Sequence, residues 1–178
     1  MILSDTDILK FMEDDKIIVK PFIRESLGSN SIDLHLGSTI GTYNDTILDA
    51  KLHNKISLIE IPEDGYVLLP SEFYLGVTME YTESRGVVPF IDGKSSIGRL
   101  GISIHETAGV GDDGFCGYWT LEISVNKPVR VYAGMEIGQI FYFKSSSVCI
   151  NPYNKKKSSK YNNQPGTPIE SMMWKNRF

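Results

Sequence analysis

The chain has 178 residues, of which 41% are hydrophobic and 22% charged, close to the averages for soluble globular proteins. This length fits one domain of ordinary size, and the composition excludes a wholly disordered chain or a fibrous repeat. Residues 1–143 carry 11 Lys and Arg against 21 Asp and Glu, whereas residues 144–178 carry 7 against 1. An acidic body with a basic C-terminal segment disfavours a duplex nucleic-acid binder. It fits a small polyanion that the basic segment closes over.

The first sixteen residues are acidic and lack the basic and apolar regions of a signal peptide. No apolar run approaches the roughly 20 residues of a membrane span. The two cysteines, Cys116 and Cys149, have neither a CxxC spacing nor a third partner, which disfavours a structural zinc site or a disulfide framework. We therefore expect a cytoplasmic protein with free thiols that binds no membrane and no nucleic acid.

The chain opens with the signals of a short amphipathic helix. Ser4, followed three residues later by Asp7, resembles a capping box, and apolar residues then recur at helical spacing. We predict a helix over about residues 4–13.

From Ile17 onward the pattern changes to short β-branched or aromatic runs that Gly, Pro, Asn and Asp separate. This spacing is typical of sandwiches and barrels, and it predicts one all-β domain over residues 1–151 with Greek-key or jelly-roll connections. The runs lie at residues 16–23, 31–37, 56–61, 65–70, 73–81, 119–125, 129–134 and 137–143.

Residues 152–178 contain few aliphatic residues and are rich in Asn, Ser, Lys and Pro. We predict that this segment, called the C-terminal arm below, is a flexible lid. The run Lys155, Lys156 and Lys157 on its own is typical of a solvated loop.

The segment from Asp92 to Gly101 holds two cations, two hydroxyls and three glycines, a set that suits the binding of phosphate oxygens. It lacks the GxxxxGK[ST] spacing of a P-loop. Taken alone, the segment favours a polar turn between strands.

A second segment, residues 118–125, alternates strictly. Trp119, Leu121 and Ile123 are predicted to lie on one face of a strand, with Thr120 and Glu122 on the other. A glutamate on a strand is usually just solvated.

Five motifs in order resemble the dCTP deaminase family of the dUTPase-like group of trimeric nucleotide enzymes. The resemblance implies an all-β, dUTPase-like β-sandwich or jelly-roll barrel with a short N-terminal helix and a flexible C-terminal lid. It also implies a homotrimer whose active sites lie between subunits. The motifs are SNSIDLHLG (29–37), GKSSIGRLG (93–101), GDDGFCGYWTLEI (111–123), PVRVYAGMEIGQIFYF (128–143) and KYNNQPG (160–166).

By this resemblance, Glu122 is the general base for hydrolytic deamination of dCTP to dUTP and ammonia, Ser95 holds the attacking water and Arg99 orients the glutamate. Magnesium is expected to arrive on the triphosphate. Zinc is not expected, because the H-x-E plus P-C-x-x-C set of zinc deaminases is missing and the three histidines are scattered. The substrate-binding residues implied are Lys94, Ser95, Ser96, Ile97, Gly98, Arg99, Asp112, Thr120, Leu121, Glu122, Tyr153, Lys160 and Gln164.

Alternatives remain open. In a bifunctional, dUMP-forming deaminase Asp112 also takes part in phosphate cleavage. Gly98 and the Ala108-Gly109 pair favour this type, whereas Val110 and Gly111 depart from its usual pattern, so both products, dUTP and dUMP, remain open. A plain dUTPase is disfavoured, because Phe115 replaces the stacking tyrosine. A silent nucleotide-binding regulator is the third alternative. The resemblance also makes dTTP a candidate inhibitor.

Overall fold

Four antiparallel sheets and two α-helices make up the fold of this protein, whose computed structural model describes residues 1–178. The sheets have the strand orders β1-β7-β10, β4-β3-β6-β11-β9, β12-β5 and β2-β13-β8. The elements are α1 (Asp5–Glu13), β1 (Ile17–Lys20), β2 (Ser31–His35), β3 (Thr39–Tyr43), β4 (Ile56–Glu60), β5 (Tyr66–Leu68), β6 (Tyr74–Val77), β7 (Tyr81–Ser84), β8 (Val87–Gly93), α2 (Ser95–Arg99), β9 (Ile102–Ser103), β10 (Cys116–Gly117), β11 (Thr120–Val125), β12 (Val129–Val131) and β13 (Glu136–Lys144).

The all-β class with a short N-terminal helix is confirmed, but none of the four sheets closes into a barrel. One cluster of 25 buried apolar residues draws side chains from all four sheets. Tyr74 and Tyr142 are the largest of its fully buried side chains. The core therefore lies between sheets whose edges stay open.

Helix α1 begins as the capping pattern predicts. The Ser4 side chain accepts a hydrogen bond from the backbone N–H of Asp7 at 3.4 Å, and Ile8 is fully buried. Neither α1 nor α2 has the length and apolar character of a membrane-spanning helix.

Every predicted run contains a strand, but the segment expected to be a polar turn forms helix α2 (Ser95–Arg99). Ile97 is buried in the core, and this contact anchors the helix. A single apolar residue in five gives no periodicity, which is why the pattern did not indicate a helix.

The C-terminal arm runs back over the body of the protein. The Tyr153 N–H donates to the carbonyl of Asp113 at 2.7 Å, and Gln164 forms a parallel bridge with Gly117. Two short 3₁₀ helices, Tyr153–Lys155 and Met173–Lys175, interrupt the arm. The mobility expected of the arm stays a prediction.

Gly117 lets the arm approach β10 closely. Its φ is +136°, and a Cβ built there would lie 2.5 Å from the backbone nitrogen of Gln164. We expect Gly117→Ala to cost about 1–3 kcal/mol of folding free energy and to detach the arm, so that trypsin cleaves it faster after its lysines.

Gly134→Ala is the matched control, since Gly134 has a φ of +77° and no atom within 4 Å of the added Cβ. It should lower the thermal unfolding midpoint without speeding cleavage of the arm. Equal cleavage of the two variants would contradict the importance of the close approach at Gly117.

Candidate active site

A cavity of about 770 Å³ lies between β11, the segment 105–115 and the C-terminal arm. Six of the residues implied by the sequence line it together: Asp112, Thr120, Glu122, Tyr153, Lys160 and Gln164.

Glu122 faces this cavity because β11 alternates. Leu121 and Ile123 are buried in the core, whereas Thr120 and Glu122 are half-buried on the opposite face, as predicted. The Glu122 Oε2 accepts a hydrogen bond from the Glu106 N–H at 2.9 Å. One carboxylate oxygen is thus held in place and the other is left to meet a ligand.

Thr120 ties the arm to the cavity wall. Its hydroxyl donates to Oε1 of Gln164 at 2.8 Å and accepts from the N–H of Ile169 at 3.3 Å. Since Thr120 and Glu122 are neighbours on one strand face, the arm is attached beside the glutamate.

Asp112 of the cavity wall pairs with a lysine of the arm: the Lys156 Nζ lies 2.9 Å from Oδ2 of Asp112. Phe115 packs against Trp119 with ring centroids 4.3 Å apart and against Tyr153 at 6.2 Å. The turn that carries Asp112 is therefore covered by the start of the arm.

The α2 residues lie apart from this cavity. Lys94, Ser95 and Gly98 line a second cavity of about 350 Å³, and His105 is shared by both cavities. Four implied residues line neither: Ser96 and Arg99 are exposed, and the side chains of Ile97 and Leu121 are buried in the core. The apolar core takes the side chains of Ile97 and Leu121, and their part in substrate binding stays a prediction.

Lys94, expected to bind phosphate, is paired with carboxylates here. Its Nζ contacts Asp33 and lies 2.5 Å from Glu136 Oε2. Burial lowers the pKa of Lys94, but the bonds to Asp33 and Glu136 outweigh it and raise that pKa above its ordinary value. Lys94 thus fixes the start of α2 to strands β2 and β13.

The sequence interpretation missed several cavity residues. Tyr43, His105, Glu106 and Glu170 all line the cavity. Glu170 is the only acidic residue in the basic segment 144–178, and this isolation could have marked it in the sequence as a candidate site residue.

Glu170 fastens the end of the arm. It hydrogen-bonds His53, whose ring lies 5.3 Å from that of Trp174, and the Ser171 N–H donates to the Tyr43 hydroxyl at 3.0 Å. Burial raises the pKa of Tyr43. These contacts close one wall of the cavity.

Residues 2–145 match the family model described as dCTP deaminase-like. The chain belongs to the dCTP deaminase-like family. It is 46% identical over 166 residues, 93% of each chain, to the dUMP-forming dCTP deaminase of Clostridium acetobutylicum. It is 43% identical over 175 residues, 98% of each chain, to the protein of the same name from Clostridium botulinum.

One solved structure shares the fold. The crystal structure of 2'-deoxycytidine 5'-triphosphate deaminase from Agrobacterium tumefaciens matches with a TM-score of 0.64 at 23% identity, over 79% of this chain and 47% of that chain. The present chain thus spans about half the length of that protein, and the likeness between them concerns the fold.

The His53–Glu170 contact predicts a pH-dependent arm. Burial raises the pKa of Glu170, but the hydrogen bonds from His53 and from the backbone N–H of Glu170, together with the electrostatic attraction of His53 and Lys175, outweigh burial, so the pKa is lowered. A lowered carboxyl pKa means that the contact stabilises docking at higher pH and is lost as the pH falls through that value. We expect the Trp174 fluorescence to change over this acidic range. It is obtained by subtracting the emission spectrum of a Trp174→Phe protein from that of the unmodified protein.

Glu170→Gln is the control for this titration, because it removes the titrating group and keeps the shape. The acidic transition should be absent from this variant. The same transition in both proteins would rule out Glu170 as its source.

Proposed function

We propose that the protein is a bifunctional enzyme that deaminates dCTP and then cleaves the nucleotide to dUMP and diphosphate. The observation that carries this proposal is that Glu122 and Asp112 line one cavity beneath a basic arm. The sequence alone left both dUTP and dUMP open as products. The name dUMP-forming, which both clostridial relatives bear, favours dUMP.

In the deamination step, Glu122 acts as general base through Oε1, the carboxylate oxygen that does not accept the hydrogen bond from the Glu106 N–H. It takes a proton from a water that attacks C4 of cytosine, and the proton then passes to ring N3. Collapse of the tetrahedral intermediate breaks the C4–N bond, and the amine leaves as ammonia after a second proton transfer. Ser95 holds the water and Arg99 orients Glu122.

In the phosphate step, Asp112 accepts a proton from a second water, which attacks the α-phosphorus and breaks the bond to the β-phosphate. Before this step, Asp112 contacts the sugar 3'-hydroxyl. Tyr153, Lys160 and Gln164 close over the phosphates, and the substrate enters as its magnesium complex, held through phosphate oxygens. The closed arm keeps bulk water out of the site and so prevents competing reactions. Inhibition by dTTP and a cytoplasmic location stay predictions.

The proposal includes a homotrimer. Ser95 and Arg99 lie outside the cavity of their own chain, so a second copy has to supply them. An aromatic face is formed by Phe90, Phe141 and Phe143, and it borders His105 between the two cavities. The ring centroid of Phe90 lies 6.3 Å from that of Phe141 and 6.4 Å from that of Phe143. Val110 on the same face is 63% exposed. A neighbouring subunit covering this apolar face would bring its residues to the cavity.

The first test is incubation of the protein with dCTP and magnesium, followed by chromatography of the products. dUMP with diphosphate is the expected result. Accumulation of dUTP would show deamination without phosphate cleavage and would overturn the role of Asp112.

Glu122→Gln should lower the rate of ammonia release by about 10²–10⁴-fold, because the base is lost, while dCTP binding stays measurable by calorimetry. Ser124→Ala is the control, since Ser124 is half-buried on the same face of β11. Retained turnover by the Glu122 variant would contradict the mechanism.

The trimer can be tested by complementation. Ser95→Ala and Glu122→Gln proteins should each be inactive. When the two are unfolded and refolded together, about a quarter of the wild-type activity should return, because random assembly gives about a quarter of the shared sites both an intact Ser95 and an intact Glu122. Lack of recovery in a mixture that forms trimers would contradict sites shared between subunits.

A further inference from the structure

Lys156 is distinguished from its two neighbours by its contact. Its Nζ lies 2.9 Å from Asp112 Oδ2 and 6.0 Å from the Tyr153 ring centre. Lys155 and Lys157 form no ion pair. One lysine of the three is therefore directed at the proposed active site.

The backbone holds Lys156 in this place. The Tyr153 N–H is bonded to the Asp113 carbonyl at 2.7 Å, and the Lys156 N–H donates to the Tyr153 carbonyl at 3.3 Å. The start of the arm is thus fixed to the turn that carries Asp112. Only the long side chain of Lys156 has to move for the ammonium to leave the carboxylate.

The pair is easily broken. The side chains of Lys156 and Asp112 are 38% and 52% exposed, and ion pairs of such exposure are weak. Phosphate oxygens carry more negative charge than one carboxylate and bind an ammonium through strong, charge-assisted hydrogen bonds. A triphosphate at the arm therefore competes successfully for the Lys156 ammonium.

We propose that Lys156 is a specificity-determining residue that covers Asp112 in the free protein and transfers to the phosphates of a bound nucleotide. This inference rests on the proposed function, in which Asp112 accepts a hydrogen bond from the sugar or a proton from water. A phosphorylated ligand frees Asp112 by drawing the ammonium away. A nucleoside without phosphate has to compete with that ammonium, so the transfer selects nucleotides over nucleosides.

The test measures binding of deoxycytidine and of dCTP with magnesium by calorimetry, using full-length protein that carries Glu122→Gln to stop turnover. Lys156→Met should raise the dCTP Kd about three- to tenfold and lower the deoxycytidine Kd about twofold. Lys157→Met is the matched control and should leave the ratio of the two constants within about twofold of the parent. Lys156→Arg should restore the parental ratio.

A ratio that changes equally in the two methionine variants would overturn the inference, and so would deoxycytidine binding that is undetectable in the Lys156→Met protein. Failure of the proposed function gives a different result. In that case the Glu122→Gln parent either releases ammonia from dCTP or does not bind dCTP at all.

Discussion

The two-residue repeat of strand β11 is the constraint on which the site depends. Leu121 and Ile123 enter the core, and this burial obliges Thr120 and Glu122 to face the cavity. A shift of one residue in register would bury the glutamate and expose the leucine. The apolar core therefore fixes the direction of the proposed catalytic base, and the Glu106 N–H fixes its Oε2.

The same strand face also attaches the arm. Thr120 bonds Gln164 and Ile169, and Gly117, just before β11, pairs with Gln164. A ligand that meets Glu122 consequently meets the arm. The strand that orients the proposed catalytic base therefore also carries the attachment of the arm.

Much of the fold and part of the site could be predicted from the sequence. Strict alternation at 119–125 indicated the orientation of Glu122, and the motif order indicated the family. Helix α2 was missed because only Ile97 anchors it. The sequence left a sandwich and a barrel open, because strand runs do not record which edges pair. The Lys94–Asp33 and Lys156–Asp112 contacts join residues 61 and 44 positions apart, and no local pattern signals such pairs.

The separation of charge between body and arm also governs how the ligand arrives. Residues 1–143 carry ten more acidic than basic residues, and the basic excess lies in residues 144–178. At physiological ionic strength, electrostatic forces in solution decay over about 8 Å. An incoming triphosphate is thus repelled by most of the surface and attracted only close to the arm. Salt screens both forces, so their effects on the association rate partly cancel, unlike the steep salt dependence of a uniformly basic surface.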